Sequence, residues 1–197
     1  MLDKTIPYFN IVMKRVAKKT VPQISLPSGY SYTYYKKGFE KDWAEIVTSV
    51  GEFVSIQSAL EYFNEFYLRD SSEAERRILF VQNHQKEKVA TVTSWWNYTG
   101  VHRTPAIEWV AVKPEYQGLS LGKAIVYQGM RRMIEIEGDR DIFLHTQTWS
   151  YRAIGIYLLA GFEFMKKDTF GNYINEFDCA LPYLEAKMAR YLCERIS

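Results

Sequence analysis

The chain has 197 residues, of which 47% are hydrophobic and 24% charged, with a formal net charge of +2. A chain of that length can bury the core of one domain, and its apolar content excludes a disordered polypeptide. So weak a charge gives no reason to expect nucleic acid or a membrane surface as partner, and no run reaches the ~18 apolar residues of a membrane span.

Cys179 and Cys193 are too few for a disulfide framework, and His84, His102 and His145 lie scattered, so no metal site is expected. Pro7 and Asn10 interrupt the apolar residues between Ile6 and Met13, which leaves no secretory segment there and makes the cytoplasm the expected compartment.

In chain order, residues 1–29 come first. Phe9, Val12, Met13 and Val16 fall at helical spacing among Lys14, Arg15, Lys18 and Lys19, which predicts a basic amphipathic helix packed on the domain and ended by Pro22 and Pro27. Gly29 leads into a strand at 30–36. Helices follow at 40–50 and 55–68, the second with Ala59, Tyr62, Phe63 and Phe66 on one face. A charged turn at 70–75 precedes strands at 78–82 and 89–96. A polar loop at 97–105, containing Gly100, leads to a strand at 106–112.

After a glycine-bearing turn, a helix runs to Glu137 and stops at Gly138, with Leu121, Ile125, Met133 and Ile136 facing inward. Residues 142–146 read as a strand, 150–160 as a helix and 161–164 as a strand. A last strand at 173–178 and a helix at 182–196 complete the order. These patterns alone support an α/β or α+β protein.

The most informative stretch joins the strand ending at Val112 to the long helix through Gln117, Gly118, Leu119, Ser120, Leu121, Gly122 and Lys123. A helix start presents backbone N–H groups without carbonyl partners, where a phosphate can sit, and the two glycines keep side chains out of its way. A P-loop is excluded, because three residues rather than four separate Gly118 from Gly122, and Ala124 follows Lys123 where a hydroxyl is needed for magnesium. The dinucleotide fingerprint fails because Ser120 stands where its second glycine belongs. A second segment runs from Ser150 to Phe162, with Ala153, Ile154, Tyr157 and Ala160 on one helical face, Ser150 as a candidate N-cap and Gly161 as a closing residue.

Together these two segments resemble the signatures of the GNAT acetyltransferase superfamily. The first is similar to its pyrophosphate loop Q/R-x-x-G-x-G/A, with Ser120, itself able to cap the helix, in place of the middle glycine. The second is similar to Asn-x-x-Ala-x-x-x-Tyr-x-x-x-Gly-Phe, with Ser150 in place of the asparagine. The resemblance covers roughly 30–178. It implies an α/β, mixed α+β fold with a central, mostly antiparallel sheet of six to seven strands flanked by helices. The units are then a helical extension at 1–29, the acetyltransferase domain at 30–180 and a C-terminal helix of the same domain at 181–197.

The implied activity is acetyl transfer from acetyl-CoA, as co-substrate, to a primary amine on a small molecule, peptide or protein. A homodimer stays open as the assembly, and a non-catalytic acyl-CoA-binding or sensing module is the alternative function. The resemblance assigns Val110, Ala111 and Val112 to the pantetheine arm, the loop amides from Gln117 through Lys123 to the pyrophosphate, and Ser150 to a pantetheine contact that capping alone would also explain.

Glu108 stands in an otherwise apolar strand, on the face that alternation shares with Val110 and Val112, and is the candidate general base. A solvent-facing or salt-bridged glutamate is the plainer alternative. Tyr157 matches the signature tyrosine that protonates the departing thiolate; a buried core tyrosine is its alternative. His145 is a rival base, and Gly155 in mid-helix suits a close approach of cofactor or backbone. The acceptor pocket is expected from 48–57, including Glu52 and Phe53, from 97–105 and from 170–173. Trp95, Trp96, Tyr98 and Trp109 are candidates for its lining.

Overall fold

The computed structural model describes residues 2–196, with side chains through 189. Among these residues, seven strands form one sheet: β1 (Asn10–Arg15), β2 (Ser31–Tyr34), β3 (Ile78–Gln82), β4 (Lys88–Thr99), β5 (His102–Val112), β6 (Ile142–Gln147) and β7 (Glu163–Phe164). They lie in the order β2-β3-β4-β5-β6-β1-β7, and every neighbouring pair is antiparallel except β5 with β6. Helices α1 (Glu40–Ser49), α2 (Ile56–Phe66) and α3 (Ser71–Arg77) cover one face. Helices α4 (Leu121–Glu137), α5 (Tyr151–Leu159) and α6 (Phe177–Ile196) cover the other. This is the mixed α+β architecture expected from the motifs.

Strand alternation builds both cores at once. On β3, Ile78 and Phe80 join Trp43, Ile46 and Phe63 of α1 and α2, whereas Leu79 and Val81 join Ile125 and Met130 of α4. Local signals set the helix ends. Ser55 and Ser58 close a reciprocal capping box on α2. Gly138, at φ +76°, stops α4. Gly161, at φ +88°, ends α5 in a Schellman motif, with Phe162 N–H donating to Tyr157 O at 3.0 Å and Gly161 N–H to Leu158 O at 3.0 Å.

Several expectations are corrected. The N-terminal segment is not a helical extension: Asn10–Arg15 is β1, hydrogen-bonded between β6 and β7 inside the sheet. Both faces of that strand are covered, so Ile11, Val12 and Met13 are buried in succession, and so short an apolar run cannot be told from a buried helix by periodicity. The charged turn at 70–75 is largely α3, because the Asp70 side chain accepts the Glu73 N–H at 3.2 Å and caps a helix there.

The loop expected at 97–105 is instead the two strand arms of the β4–β5 hairpin, whose turn is confined to Gly100 and Val101. No strand forms at 173–178; a single bridge pairs Phe170 with Tyr173, and α6 begins at Phe177 with Pro182 inside it. Leu121, Ile125 and Met133 of α4 are buried as expected, and Ile136 only partly. Neither Ser120 nor Ser150 caps with its side chain; Ser120 takes the left-handed conformation, and a 3₁₀ turn (Thr148–Ser150) leads into α5.

Candidate active site

The parallel pairing of β5 with β6 is confined to Ala106 opposite Phe143. Beyond that point β6 continues along β1, and a wedge opens between the second half of β5 and the start of α5. Two cavities fill it, of about 360 Å³ and about 550 Å³. They share Leu2, Glu52, Val110, Ala111, Ser150 and Ala153 as walls, so each opens on the same stretch of β5 and α5.

The larger cavity is floored by the turn into α4. Gly118 sits at φ +85° with open space where a Cβ would project, and Ser120 sits at φ +62°. A Cβ on Gly122 would lie 3.0 Å from Ile156 Cδ1, so the glycine brings α4 close to α5. Ala124 N–H makes the first helical bond, to Ser120 O at 3.1 Å, which leaves the amides of Leu121, Gly122 and Lys123 without helical acceptors. The Gln117 Nε2 donates to Val112 O at 2.9 Å and ties the loop back to β5. The turn thus presents to the cavity three amides without helical acceptors, the positive end of a helix dipole and the Lys123 side chain.

The smaller cavity holds the titratable groups. Across the β4–β5 pair, Thr91 faces Ala111 but Thr93 faces Glu108, so Trp109 and Val110 together oppose Val92 in a β-bulge. Trp109 takes φ +48°, a left-handed conformation costly for a side chain of its size. Packing holds it there: its ring lies 5.1 Å from those of Phe53 and Tyr62 and 5.6 Å from that of Trp43.

The bulge overturns the alternation expected from the sequence. Glu108 shares its face with Trp109 and Ala111, towards α1 and α2, whereas Val110 and Val112 pack towards α4 and α5. Glu108 borders the cavity but is otherwise walled by protein, and that burial pushes its carboxyl up to about 7 against one opposing influence, a 3.0 Å hydrogen bond donated by the Tyr67 hydroxyl.

Tyr157 also lines this cavity and is 7% exposed. Burial, helped by the charge of Glu52, raises its hydroxyl pKa, so the group keeps its proton at neutral pH. Glu52 stands at the rim, where desolvation raises its pKa against a hydrogen bond from Gln147 and the charge of Lys4. His145 lies flat on Tyr173, with ring centroids 3.7 Å apart, and its Nε2 meets Asn10 Oδ1 at 2.8 Å. The Asn10 amide is oriented by donating to Glu176 Oε2 at 3.2 Å, so the imidazole Nε2–H is the donor to Oδ1. Burial depresses the imidazole to about 4, which keeps it neutral and makes it a weak base.

The model of the acetyltransferase (GNAT) family matches residues 41–162. The chain belongs to that family. GNAT structures share its fold: a GCN5-related N-acetyltransferase from Sphaerobacter thermophilus superposes at TM-score 0.61 with 18% identity over 80% of this chain and 49% of its own. A GNAT-family acetyltransferase from Novosphingobium aromaticivorans gives 0.54 with 15% identity over 82% and 62%, and one from Staphylococcus aureus 0.57 with 16% over 75% and 94%. This chain thus spans half to under two thirds of the first two proteins. No curated protein sequence matches it.

Within this GNAT domain, Glu108, Tyr157, Ser150, Val110 and Ala111 line the smaller cavity, and Val112, Gln117, Gly118, Ser120, Leu121, Gly122 and Lys123 the larger. Leu119 is the exception; its side chain stands 44% exposed outside both. Of the acceptor segments, 48–57 contributes Gly51 and Glu52, and 170–173 contributes Phe170 and Tyr173. The 97–105 segment contributes nothing, being hairpin strand directed elsewhere. Trp109 lines the cavity, but Trp95 packs on Tyr67, Tyr98 is exposed, and Trp96 stacks on Trp95 with the guanidiniums of Arg77 and Arg103 over its ring.

Sequence reasoning missed Tyr62, Tyr67 and the N-terminal strap bearing Leu2, Lys4 and Tyr8. The strap is tied down by Asp3 N–H to Trp149 O at 2.9 Å and by Trp149 Nε1–H to Ile6 O at 2.7 Å, contacts with no local signature. Tyr62 did stand on the helical face read from the sequence, which gave it only a core role. Among the described residues, no helix is long and apolar enough to cross a membrane.

Proposed function

We propose that this GNAT domain transfers the acetyl group of acetyl-CoA to a primary amine held in the smaller cavity. The observation that supports this most directly is the wall common to both cavities. The same faces of β5 and α5 border a phosphate-accepting loop on one side and a raised-pKa carboxylate with a protonated tyrosine on the other.

In this reading, the amides of Leu121, Gly122 and Lys123 hold the pyrophosphate, and Val110, Ala111, Val112 and Ser150 guide the pantetheine arm towards the shared wall. Acetyl-CoA supplies an activated acyl group on a thiolate leaving group. Glu108, titrating near neutrality, takes the proton of the incoming ammonium and frees its lone pair. Tyr157 returns a proton to the sulfur. The low pKa of His145 disfavours it as the base and suits it to accepting a hydrogen bond from the acceptor. A cavity of about 360 Å³ suits a small amine or the tip of a longer one.

Thiol release from acetyl-CoA, measured against a panel of primary amines, tests the proposal. Release should depend on the amine and saturate with it. Intact coenzyme A binding without acceptor-dependent release by any panel member would instead favour a non-catalytic acyl-CoA-binding module.

A further inference from the structure

We propose that Tyr67 is the positioning residue of this site: its hydroxyl anchors one carboxylate oxygen of Glu108 and leaves the other directed into the acceptor cavity. The inference rests on reading Glu108 as the base.

Tyr67 directly follows α2 and is 1% exposed. Its ring is held edge-on by four neighbours, with centroids 4.9 Å from Trp95, 5.3 Å from Phe63 and 6.0 Å from both Trp43 and Tyr62. A phenol sunk this deeply must spend its hydrogen on an acceptor, and that acceptor is Glu108 Oε2 at 3.0 Å. Glu108 is itself a cavity wall, so the oxygen not engaged by Tyr67 is the one available to an acceptor amine.

No Lys or Arg pairs with Glu108 among the described residues, so the Tyr67 bond is the influence that opposes its desolvation. The other titratable groups facing this cavity are Tyr62 from α2, Tyr173 from the segment before α6, His145 from β6, Glu52 from the α1–α2 loop, and Lys4 and Tyr8 from the strap. None of these supplies Glu108 with a fixed hydrogen bond. The Trp109 bulge completes the arrangement, because it lets Glu108 face Tyr67 while Val110, two residues on, faces α5. A bond to the ionised form favours ionisation, so Tyr67 both aims the carboxylate and keeps it usable near neutral pH.

Tyr67→Phe keeps the ring and removes the donor. With glutamate labelled at the carboxyl carbon, and the Glu108 signal identified by its loss in Glu108→Gln, NMR titration should show Glu108 moving up by about one pH unit. The acid limb of kcat/KM should move up with it, and variant and parent should converge at alkaline pH. A residue with only a structural role would lower Tm without moving either curve. As a second probe, 3-fluorotyrosine placed at position 67, a stronger donor of nearly equal size, should move the Glu108 titration downward. An unchanged Glu108 titration in both proteins overturns the proposal. A titration that moves while the rate profile stays fixed keeps the Tyr67–Glu108 bond and removes Glu108 from the mechanism.

Discussion

At the scale of single residues, burying a titratable group lowers stability at the pH where that group would be charged. Glu108 has an ordinary carboxyl pKa when unfolded and one of about 7 in the folded chain, because folding strips water from it. Between those values the folded state binds the extra proton. The stability tied to that proton is therefore full at acid pH and lost as pH rises towards 7. Glu108→Gln, which is uncharged throughout, should raise Tm more at pH 8 than at pH 5, as measured by thermal melts at the two values. The same change should lower acetyl transfer by about 100-fold or more, the common range for losing a general base. The parent's kcat/KM should climb near pH 7 as Glu108 loses its proton, whereas the variant, left to use amine already deprotonated in solution, should follow the amine's titration alone. A Tm difference that does not vary with pH would mean that Glu108 is well solvated, and the pH-rate argument would fail with it.

At the scale of elements, what could be read from the sequence is what neighbours in sequence decide. Gly138 and Gly161 mark helix ends because a left-handed backbone needs only the glycine itself, and the 117–122 spacing marks the turn into α4 for the same reason. The bulge at Trp109 has no such mark: a left-handed tryptophan is held by rings from α1 and α2, which the strand's own pattern cannot reveal. The β4–β5 hairpin escaped notice likewise. Its polar arms are strand because α4 grips them through Glu137, whose carboxylate meets Arg77 at 2.6 Å and Arg103 at 2.8 Å, with both guanidiniums over the Trp96 ring. Arg77 is 2% exposed and keeps Glu73 and Ser94 O as partners when Glu137 is removed, so the loss is that of a charge-assisted bond rather than of all compensation. Glu137→Ala should cost about 2 kcal/mol in urea unfolding. Coenzyme A affinity should change little, since Glu137 is the last residue of α4, at the end remote from the 117–123 turn.

At the scale of the whole molecule, β1 decides whether the N-terminal segment is an appendage or a structural member. Its helical spacing predicts a helix packed on the outside of a domain that begins near residue 30. The structure places β1 between β6 and β7, with Ile11, Val12, Met13 and Arg15 wholly buried. Its partner residues on β6 lie far along the chain, Asn10 opposite Gln147 and Arg15 opposite Ile142, so nothing local announces the pairing. The residues just before it roof both cavities, through Leu2, and wall the smaller one, through Lys4 and Tyr8. Deleting residues 1–15 would therefore open an unpaired edge on β6, detach β7, uncover apolar surface on both sheet faces and unroof the site. The truncated chain should lose its cooperative thermal transition and aggregate, as read by circular dichroism and light scattering. If it instead melted cooperatively and bound coenzyme A with the parent's affinity, the N-terminal strand would be dispensable to the sheet, and the segment would be an appendage after all.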